Sequence, residues 1–242
     1  MEKQKENGLR SPELLRKHPS IGIVMFIFGA LVFIILALNL VYNGPLIKWD
    51  LALAESFHDS ALKGSPLVVN IMIGGYYLGK EVLIAISLFL FIYFLIKRFW
   101  REVAMVAIGV WGSTLIFLSL CYTFVRERPF NSFTETIWSN GPDIPGFPSG
   151  HTLTAIIFFG LLAYLLVPRI KSRIEKALVV FLAIFAVVYI GVSRLYLGDH
   201  YLTDILAGYA VGIAWFGLSY TLIERFFHKR ELKKEKNKSH EK

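Results

Sequence analysis

Three residues with catalytic potential stand close together in the last third of this 242-residue sequence. Arg194, His200 and Asp204 fall where one apolar run ends and the next begins, a place where charged side chains are costly. If a helix starts near His200, Asp204 lies on the same helix face, so its carboxylate can hold one ring nitrogen and leave the other free. That pairing is typical of an activated nucleophile or base. A polar cap on a membrane helix would explain the same pattern.

Two further polar clusters flank apolar runs. Arg126-Glu-Arg128-Pro ends one run, and Pro148-Ser-Gly-His151 begins another. Proline and serine favour helix starts, where free N–H groups and the positive end of the helix dipole attract anions. We expect the runs that follow His151 and His200 to point such ends at one membrane surface. Because arginine forks suit phosphate oxygens, the clusters together predict a phosphate site.

The residue types allow roles to be assigned at such a site. His200 would attack phosphorus, and Asp204 would orient its ring. His151 would protonate the departing oxygen and then activate water, which releases a phosphohistidine. The charge on the phosphoryl oxygens would be stabilised by a larger set of predicted ligands: Arg128, Arg194, the amides near Ser149 and Gly150, and Arg126 as a further candidate.

A metal site is an alternative, because His151, Asp199, His200 and Asp204 could be drawn as a ligand set. The arginines would repel a divalent cation and already supply its charge, so we predict neither a metal nor another cofactor. Asp199 could also steer the ring of His200. A loop residue near a helix start is the simpler interpretation of Asp199.

The elements that carry these residues are membrane spans. The chain is 55% hydrophobic with a mean hydropathy of +0.54, more apolar surface than one soluble core can hide. Gly208 and Gly212 indicate close packing between helices. Residues 47–57 are expected to form an interfacial helix, and 66–79 either a dipping segment or an early start to the next span. Six runs predict spans: Ile21 to about Tyr42, Val82–Ile96, Val103 to about Val125, Thr152–Val167, about 177–192, and about Tyr201–Ile223.

The predicted fold is therefore all-α, a six-transmembrane-helix bundle with a short interfacial helical region after the first span. We expect one transmembrane domain over 21–223, a cytoplasmic N-terminal tail over 1–20, and a basic, solvated and partly disordered tail over 224–242. Of the 26 lysines and arginines, twenty lie in the two tails and the two connections assigned to one side of the membrane. The positive-inside rule then places both termini in the cytoplasm and the active site on the extracytoplasmic side. The same distribution of charge excludes a nucleic-acid partner.

The motifs resemble those of the type 2 phosphatidic acid phosphatase superfamily, particularly its bacterial six-helix membrane branch. The family signatures are Lys-x6-Arg-Pro, Pro-Ser-Gly-His and Ser-Arg-x5-His-x3-Asp. The second is matched from Pro148 to His151 and the third from Ser193 to Asp204. The resemblance implies a metal-independent phosphohydrolase that works through a phosphohistidine, with the roles given above. It also implies lipid phosphate or diphosphate substrates, such as phosphatidylglycerophosphate, phosphatidate or undecaprenyl diphosphate.

The first signature is matched only in Arg128-Pro129, and its lysine position falls on Cys121, the single cysteine. A thiol is at best a weak donor without charge. Three interpretations stay open: Arg126, Lys80 or another cation supplies the missing charge; the cysteine is a substitution; or the protein is a weakened relative that binds lipid phosphate without turning it over.

The sequence thus predicts an integral lipid phosphatase of the cell membrane, whose partners are a lipid phosphate substrate and the bilayer. No protein partner can be inferred. A lipid phosphotransferase that uses the same intermediate is an enzymatic alternative, and a non-catalytic lipid-phosphate binder is the alternative from another class.

Overall fold

The computed structural model describes residues 18–130 and 145–240, and every regular element in these ranges is helical. Six helices are long and apolar enough to cross a membrane, which confirms the predicted all-α, six-span fold. Together with an interfacial helix they are α1 (Pro19–Val41), α2 (Leu46–Lys63), α3 (Pro66–Ile96), α4 (Trp100–Phe124), α5 (Gly150–Leu166), α6 (Arg173–Tyr196) and α7 (Leu202–His240).

The second span starts at Pro66, 16 residues earlier than the apolar run from Val82 suggests. Ser65 caps this helix by accepting from the backbone N–H of Val68, and proline suits the first helical position. Gly75 serves helix packing, because a Cβ there would lie 2.6 Å from the Cβ of Ser193 in α6. Residues 66–79 thus form the early start of a span, and the alternative prediction of a segment that dips into the membrane is wrong. A π-helical turn over Leu78–Val82 follows inside α3.

Helix α7 lies at the centre of the bundle, and 67% of its most apolar 18-residue stretch is buried. Helix α1 packs along it through Gly22 and Gly217: a Cβ on Gly22 would lie 2.5 Å from the carbonyl oxygen of Gly217. On another face, Gly208 and Gly212 face α5. A Cβ on Gly212 would lie 2.9 Å from the Cβ of Ile156, so the prediction of close helix packing at this pair is confirmed.

The expected disorder of the chain from Glu224 onward is wrong over the described residues, because α7 continues without interruption to His240. Glu224 itself is buried. Its carboxylate accepts from the hydroxyl of Tyr164 at 3.1 Å and lies 3.7 Å from Nη1 of Arg101. The charged C-terminal part of α7 therefore extends beyond the core as a helix, whereas Glu224, at the start of that part, is buried and paired with Tyr164 and Arg101.

Five chain segments meet at one end of the bundle: the end of α4, the start of α5, the end of α6, the start of α7 and the helix α2. Backbone hydrogen bonds join the first four of them. The N–H of Gly146 donates to the carbonyl of Arg126 at 2.7 Å, and that of Phe130 to the carbonyl of Gly198 at 3.3 Å. The three polar clusters of the sequence are consequently gathered at this end.

Candidate active site

The N-terminus of α5 forms one wall of the site. Ser149 occupies the N-cap position, is fully buried, and donates its backbone N–H to the carbonyl oxygen of Asp204 at 3.0 Å. Its hydroxyl has no hydrogen-bond partner among the described residues. Gly150 is pressed against Phe117, where a Cβ would lie 2.8 Å from the ring. A buried hydroxyl without a partner at a helix start can serve an anion.

His151 lies in the first turn of α5, with its ring 5.3 Å from the ring of Tyr76 in α3. Gly79 permits this approach, because a Cβ there would lie 3.1 Å from Cδ2 of the imidazole. Within the described ranges, Nε2 of His151 is buried and has no hydrogen-bond partner. Packing therefore fixes the ring and leaves one nitrogen available for proton transfer.

His200 and Asp204 flank the start of α7. Nδ1 of His200 lies 3.6 Å from Oδ2 of Asp204, longer than a hydrogen bond, and it has no hydrogen-bond partner in the part of the chain that is described. The same Oδ2 accepts from the backbone N–H of Tyr201 at 2.9 Å, as in a capping box. The carboxylate thus lies beside the imidazole and is itself held by the helix start.

The electrostatic surroundings keep His200 neutral. Burial lowers the pKa of this imidazole well below its usual range, and the positive charges of Arg128 and Arg194 lower it further. Asp199 and the backbone of Gly146 act in the opposite direction without reversing the shift. Because only an unprotonated ring nitrogen can attack phosphorus, this environment suits a nucleophile.

A buried carboxylate that the sequence analysis assigned to a loop organises the two arginines. Nη2 of Arg194 lies 2.7 Å from Oδ2 of Asp199, and Nη1 of Arg128 lies 3.9 Å from Oδ1 of the same residue. Arg194 also stacks over the ring of Tyr76, with Cζ 4.5 Å from the centroid. Its Nε and Nη1 are buried without hydrogen-bond partners among the described residues. The arginines are therefore positioned, and Arg194 keeps donors for an anion.

Arg126 is placed differently from the sequence prediction. Its guanidinium pairs with two carboxylates, Nη1 with Oδ1 of Asp204 at 2.5 Å and Nη2 with Oδ2 of Asp50 at 2.8 Å. It also stacks over Tyr201, with Cζ 4.1 Å from the ring centroid. A guanidinium engaged by two carboxylates has little charge left for a substrate. The proposed role of Arg126 as a phosphate ligand is therefore corrected to that of a link between side chains.

Asp50 is the site residue that sequence reasoning missed. It belongs to α2, yet it is buried and accepts from the backbone N–H of Thr203 at 2.9 Å. On an amphipathic surface helix a lone aspartate is expected to face water, and no local pattern distinguishes Asp50 from its neighbours. The N–H of Thr203 belongs to the first turn of α7. Asp50 therefore occupies the positive N-terminal end of α7, where the sequence predicted that phosphate would bind. The start of α5 is the helix end still open to an anion.

Cys121 is buried below this end of α5. Its Sγ lies 3.7 Å from the carbonyl oxygen of Pro148, toward which the thiol can donate weakly. Cys121 thus places an uncharged thiol at the position where the Lys-x6-Arg-Pro signature has a lysine. Within residues 18–130 and 145–240, no three His, Cys, Asp or Glu side chains are gathered as a metal-ligand set.

Comparisons with known proteins identify relatives of this chain. Phosphatidylglycerophosphatase B of Bacillus subtilis (strain 168) is 38% identical over 74 residues, 30% of this chain and 36% of that protein. Lipid A 1-phosphatase of Rhizobium etli is 36% identical over 98 residues, 38% of each chain. The chain thus spans little more than a third of the length of these curated relatives.

The fold matches the crystal structure of the transmembrane PAP2 type phosphatidylglycerolphosphate phosphatase from Bacillus subtilis. The match has a TM-score of 0.67 and 25% sequence identity, and it covers 86% of this chain and 96% of the other. With six apolar helices and this structural likeness, the protein is a multi-pass membrane protein. The family model of the PAP2 superfamily matches residues 105–228, more than half of the sequence and all three polar clusters, and the chain belongs to that superfamily.

Proposed function

We propose that this protein is a membrane lipid phosphatase that hydrolyses a phosphate monoester or diphosphate of a lipid through a phosphohistidine. One observation carries the proposal: Asp199 holds Arg128 and Arg194 beside the imidazoles of His151 and His200 at a single end of the bundle. Two cations next to two imidazoles provide an anion site, a nucleophile and an acid in one place. The names of the relatives, which act on phosphatidylglycerophosphate and lipid A, support lipid substrates.

The reaction would proceed in two displacements. A ring nitrogen of His200 attacks phosphorus, and the bond between phosphorus and the leaving oxygen breaks as His151 protonates that oxygen. His151, now neutral, takes a proton from water, and the hydroxide attacks phosphohistidine to release phosphate and free His200. Arg194, Arg128 and the amides at Ser149 and Gly150 stabilise the charge on the phosphoryl oxygens in both steps.

The missing lysine of the first signature needs a replacement, and Lys80 is the cation that fits. Arg126 is engaged by Asp50 and Asp204. Lys80 lies in the π-helical turn of α3, and its Nζ is 5.7 Å from the centroid of the Tyr76 ring. The same ring contacts His151 and Arg194. Its partner is Glu81 at 3.7 Å in a half-exposed pair, which constrains it little. We assign Lys80 as a ligand of the substrate phosphate. It would replace the signature lysine whose position is occupied by Cys121 in this chain.

The proposed function is tested with a panel of lipids: phosphatidylglycerophosphate, phosphatidate, undecaprenyl diphosphate and lipid A. Wild type is expected to release phosphate from at least one, and His200→Ala to release it at least about 10⁴-fold more slowly, because the covalent route is lost. Phosphate release by His200→Ala at the wild-type rate would contradict the mechanism. Turnover only with an added lipid or sugar acceptor would indicate a transferase, and binding without turnover a lipid-phosphate binder.

The assignment of Lys80 has its own test. Lys80→Met is expected to lower kcat/KM by about 10- to 100-fold, the effect of losing a hydrogen bond to a charged group. Adding Cys121→Lys to this variant should restore much of the loss, since it returns a cation to the site. The control is Lys63→Met, an exposed lysine of α2 that pairs with Asp59. Full activity of Lys80→Met, together with faster turnover of Cys121→Lys alone, would mean that the cysteine simply weakens the site.

A further inference from the structure

Helix α2 presents two opposite faces at neighbouring residues. Trp49 is 67% exposed, as expected for an anchor at the membrane interface, whereas Asp50 is 1% exposed. Burying a carboxylate is costly unless its oxygens are matched by donors. The position of Asp50 therefore demands partners inside the protein, and α2 must supply something other than membrane attachment.

Those partners are found at the start of α7 and at the end of α4. Asp50 accepts from the backbone N–H of Thr203 at 2.9 Å, from the Thr203 hydroxyl at 2.5 Å and from Nη2 of Arg126 at 2.8 Å. The first bond satisfies an N–H in the opening turn of α7 that has no partner within its own helix. Asp50 thus caps α7 from another helix. It also provides one of the two carboxylates that pair with Arg126.

Arg126 passes the interaction on to the proposed catalytic pair. Its Nη1 binds Oδ1 of Asp204 at 2.5 Å, and the other oxygen of Asp204 lies 3.6 Å from the ring of His200. Asp50, Arg126 and Asp204 therefore form a chain of alternating charge that ends beside the imidazole of His200, the proposed nucleophile. Without Asp50, Arg126 would have one carboxylate to satisfy it and would draw Asp204 into a two-pronged pair, away from His200.

We propose that Asp50 is a positioning residue for the reaction: through Arg126 it sets the orientation of Asp204 and hence of the His200 ring. This inference rests on the proposed function, because it assigns Asp50 a part in the same phosphoryl transfer. It makes the interfacial helix α2 part of the catalytic apparatus, although α2 lies outside all three sequence signatures. Supporting residues of this kind typically contribute about 10- to 100-fold to activity.

The test uses Asp50→Asn in the full-length protein in a lipid bilayer. Asparagine keeps an oxygen acceptor for Thr203 and removes the charge that balances Arg126. We expect kcat to fall by about 10- to 100-fold with KM within about twofold, and single-turnover formation of the phosphohistidine to slow by the same factor. Asp59→Asn is the matched control, since Asp59 is on the same helix, is exposed and pairs with Lys63; it should behave as wild type.

A double-mutant cycle separates positioning from folding. Arg126→Gln alone leaves two buried carboxylates, Asp50 and Asp204, without their cation, whereas Asp50→Asn with Arg126→Gln leaves only Asp204 without it. The double variant should therefore be at least as active as Arg126→Gln, and the two effects should not add. All rates are taken per folded protein, from thermal melting and size-exclusion profiles of each variant.

Three outcomes decide the matter. Unchanged phosphohistidine formation in Asp50→Asn, with an active wild type, overturns the inference and leaves the proposed function standing. Losses that vanish when rates are corrected for the folded fraction also overturn it, because Asp50 would then act on stability alone. Losses that add in the cycle overturn it as well, because Asp50 would then act independently of Arg126. A wild type that forms no phosphoenzyme with any lipid phosphate overturns the proposed function and the inference with it.

Discussion

At the scale of single residues, the site is governed by how buried charges are matched. Asp199 neutralises Arg194 and lies near Arg128, and Asp204 shares Arg126 with Asp50. Each of these carboxylates is paired with at least one arginine, so removing one partner leaves an uncompensated buried charge. The imidazoles of His151 and His200, in contrast, each keep a buried nitrogen that has no hydrogen-bond partner in the described part of the chain. Charge thus positions the arginines and carboxylates, while the histidines stay free to react.

The neutral state of His200 predicts the pH dependence of the reaction. Its pKa lies well below 6.5, because burial and two arginines disfavour the protonated ring. The unprotonated nucleophile is therefore present above that pKa and is lost only as the pH falls through it, so the acid limb of kcat/KM should lie below pH 6.5. Initial rates between pH 4 and 9 measure it. An acid limb at or above pH 6.5 would contradict the assignment.

The substrate itself ionises in the same range, because a phosphate monoester has a second pKa of about 6. Arg128→Gln separates the two contributions. Removing this cation raises the pKa of His200 and should move the limb of the enzyme upward, although kcat also falls. The ionisation of the substrate does not depend on the variant, so a limb that stays in place would belong to the lipid phosphate.

At the scale of helices, the distance between His151 and His200 depends on how α5 and α7 approach each other. Gly208 of α7 faces the start of α5, and a Cβ there would lie 2.5 Å from the carbonyl oxygen of Ser149 and closer still to the hydroxyl of Thr152. That hydroxyl is tied to the carbonyl of Ile205 at 3.2 Å, so it cannot turn aside freely. The two helices carry one histidine each, and their contact therefore sets the geometry of the site.

Gly208→Ala should separate the histidines. Because the clash is with backbone, α7 must move, and a displacement of about 1 Å can lower kcat by about 100-fold. Gly112→Ala is the control, since the nearest atom to its added Cβ would be 3.6 Å away. Steady-state rates and thermal melting of both variants provide the measurement. Equal activity of Gly208→Ala and Gly112→Ala would contradict the close contact.

At the scale of the whole molecule, the bundle places its reactive groups at the end where α2 lies and its remaining basic residues largely at the other. The positive-inside rule then predicts an extracytoplasmic site. In a Cys121→Ala background, a membrane-impermeant thiol reagent should label Lys48→Cys in intact cells and label Lys97→Cys only after permeabilisation. Both lysines are exposed, on α2 and after α3 respectively. The reverse pattern would place the site in the cytoplasm.

The sequence alone determined the six spans, the interfacial helix and the conjunction of His151, Arg194, His200 and Asp204. These depend on local properties: the length of an apolar run sets a span, and the spacing of a motif sets which side chains share a helix start. The family likewise follows from the ungapped signatures. The early start of α3 and the continuation of α7 through Glu224 were harder to predict. Glycines and charged residues usually indicate the end of a helix, and here contacts with other helices allow the helix to continue.

Only the tertiary structure decided what the charged residues contact. Arg126 is 76 residues from Asp50 along the chain and 78 from Asp204, yet it joins them. Similarly, Asp199 stands beside His200 in sequence, but its partners Arg128 and Arg194 come from two different helix ends. The pairing of a buried charge depends on which segments the fold brings within a few ångströms. Residue type and local spacing carry no information about that distance for partners far apart in sequence, so the pairing of Arg126 with Asp50 and Asp204, and of Arg128 with Asp199, emerges only when the helices are packed.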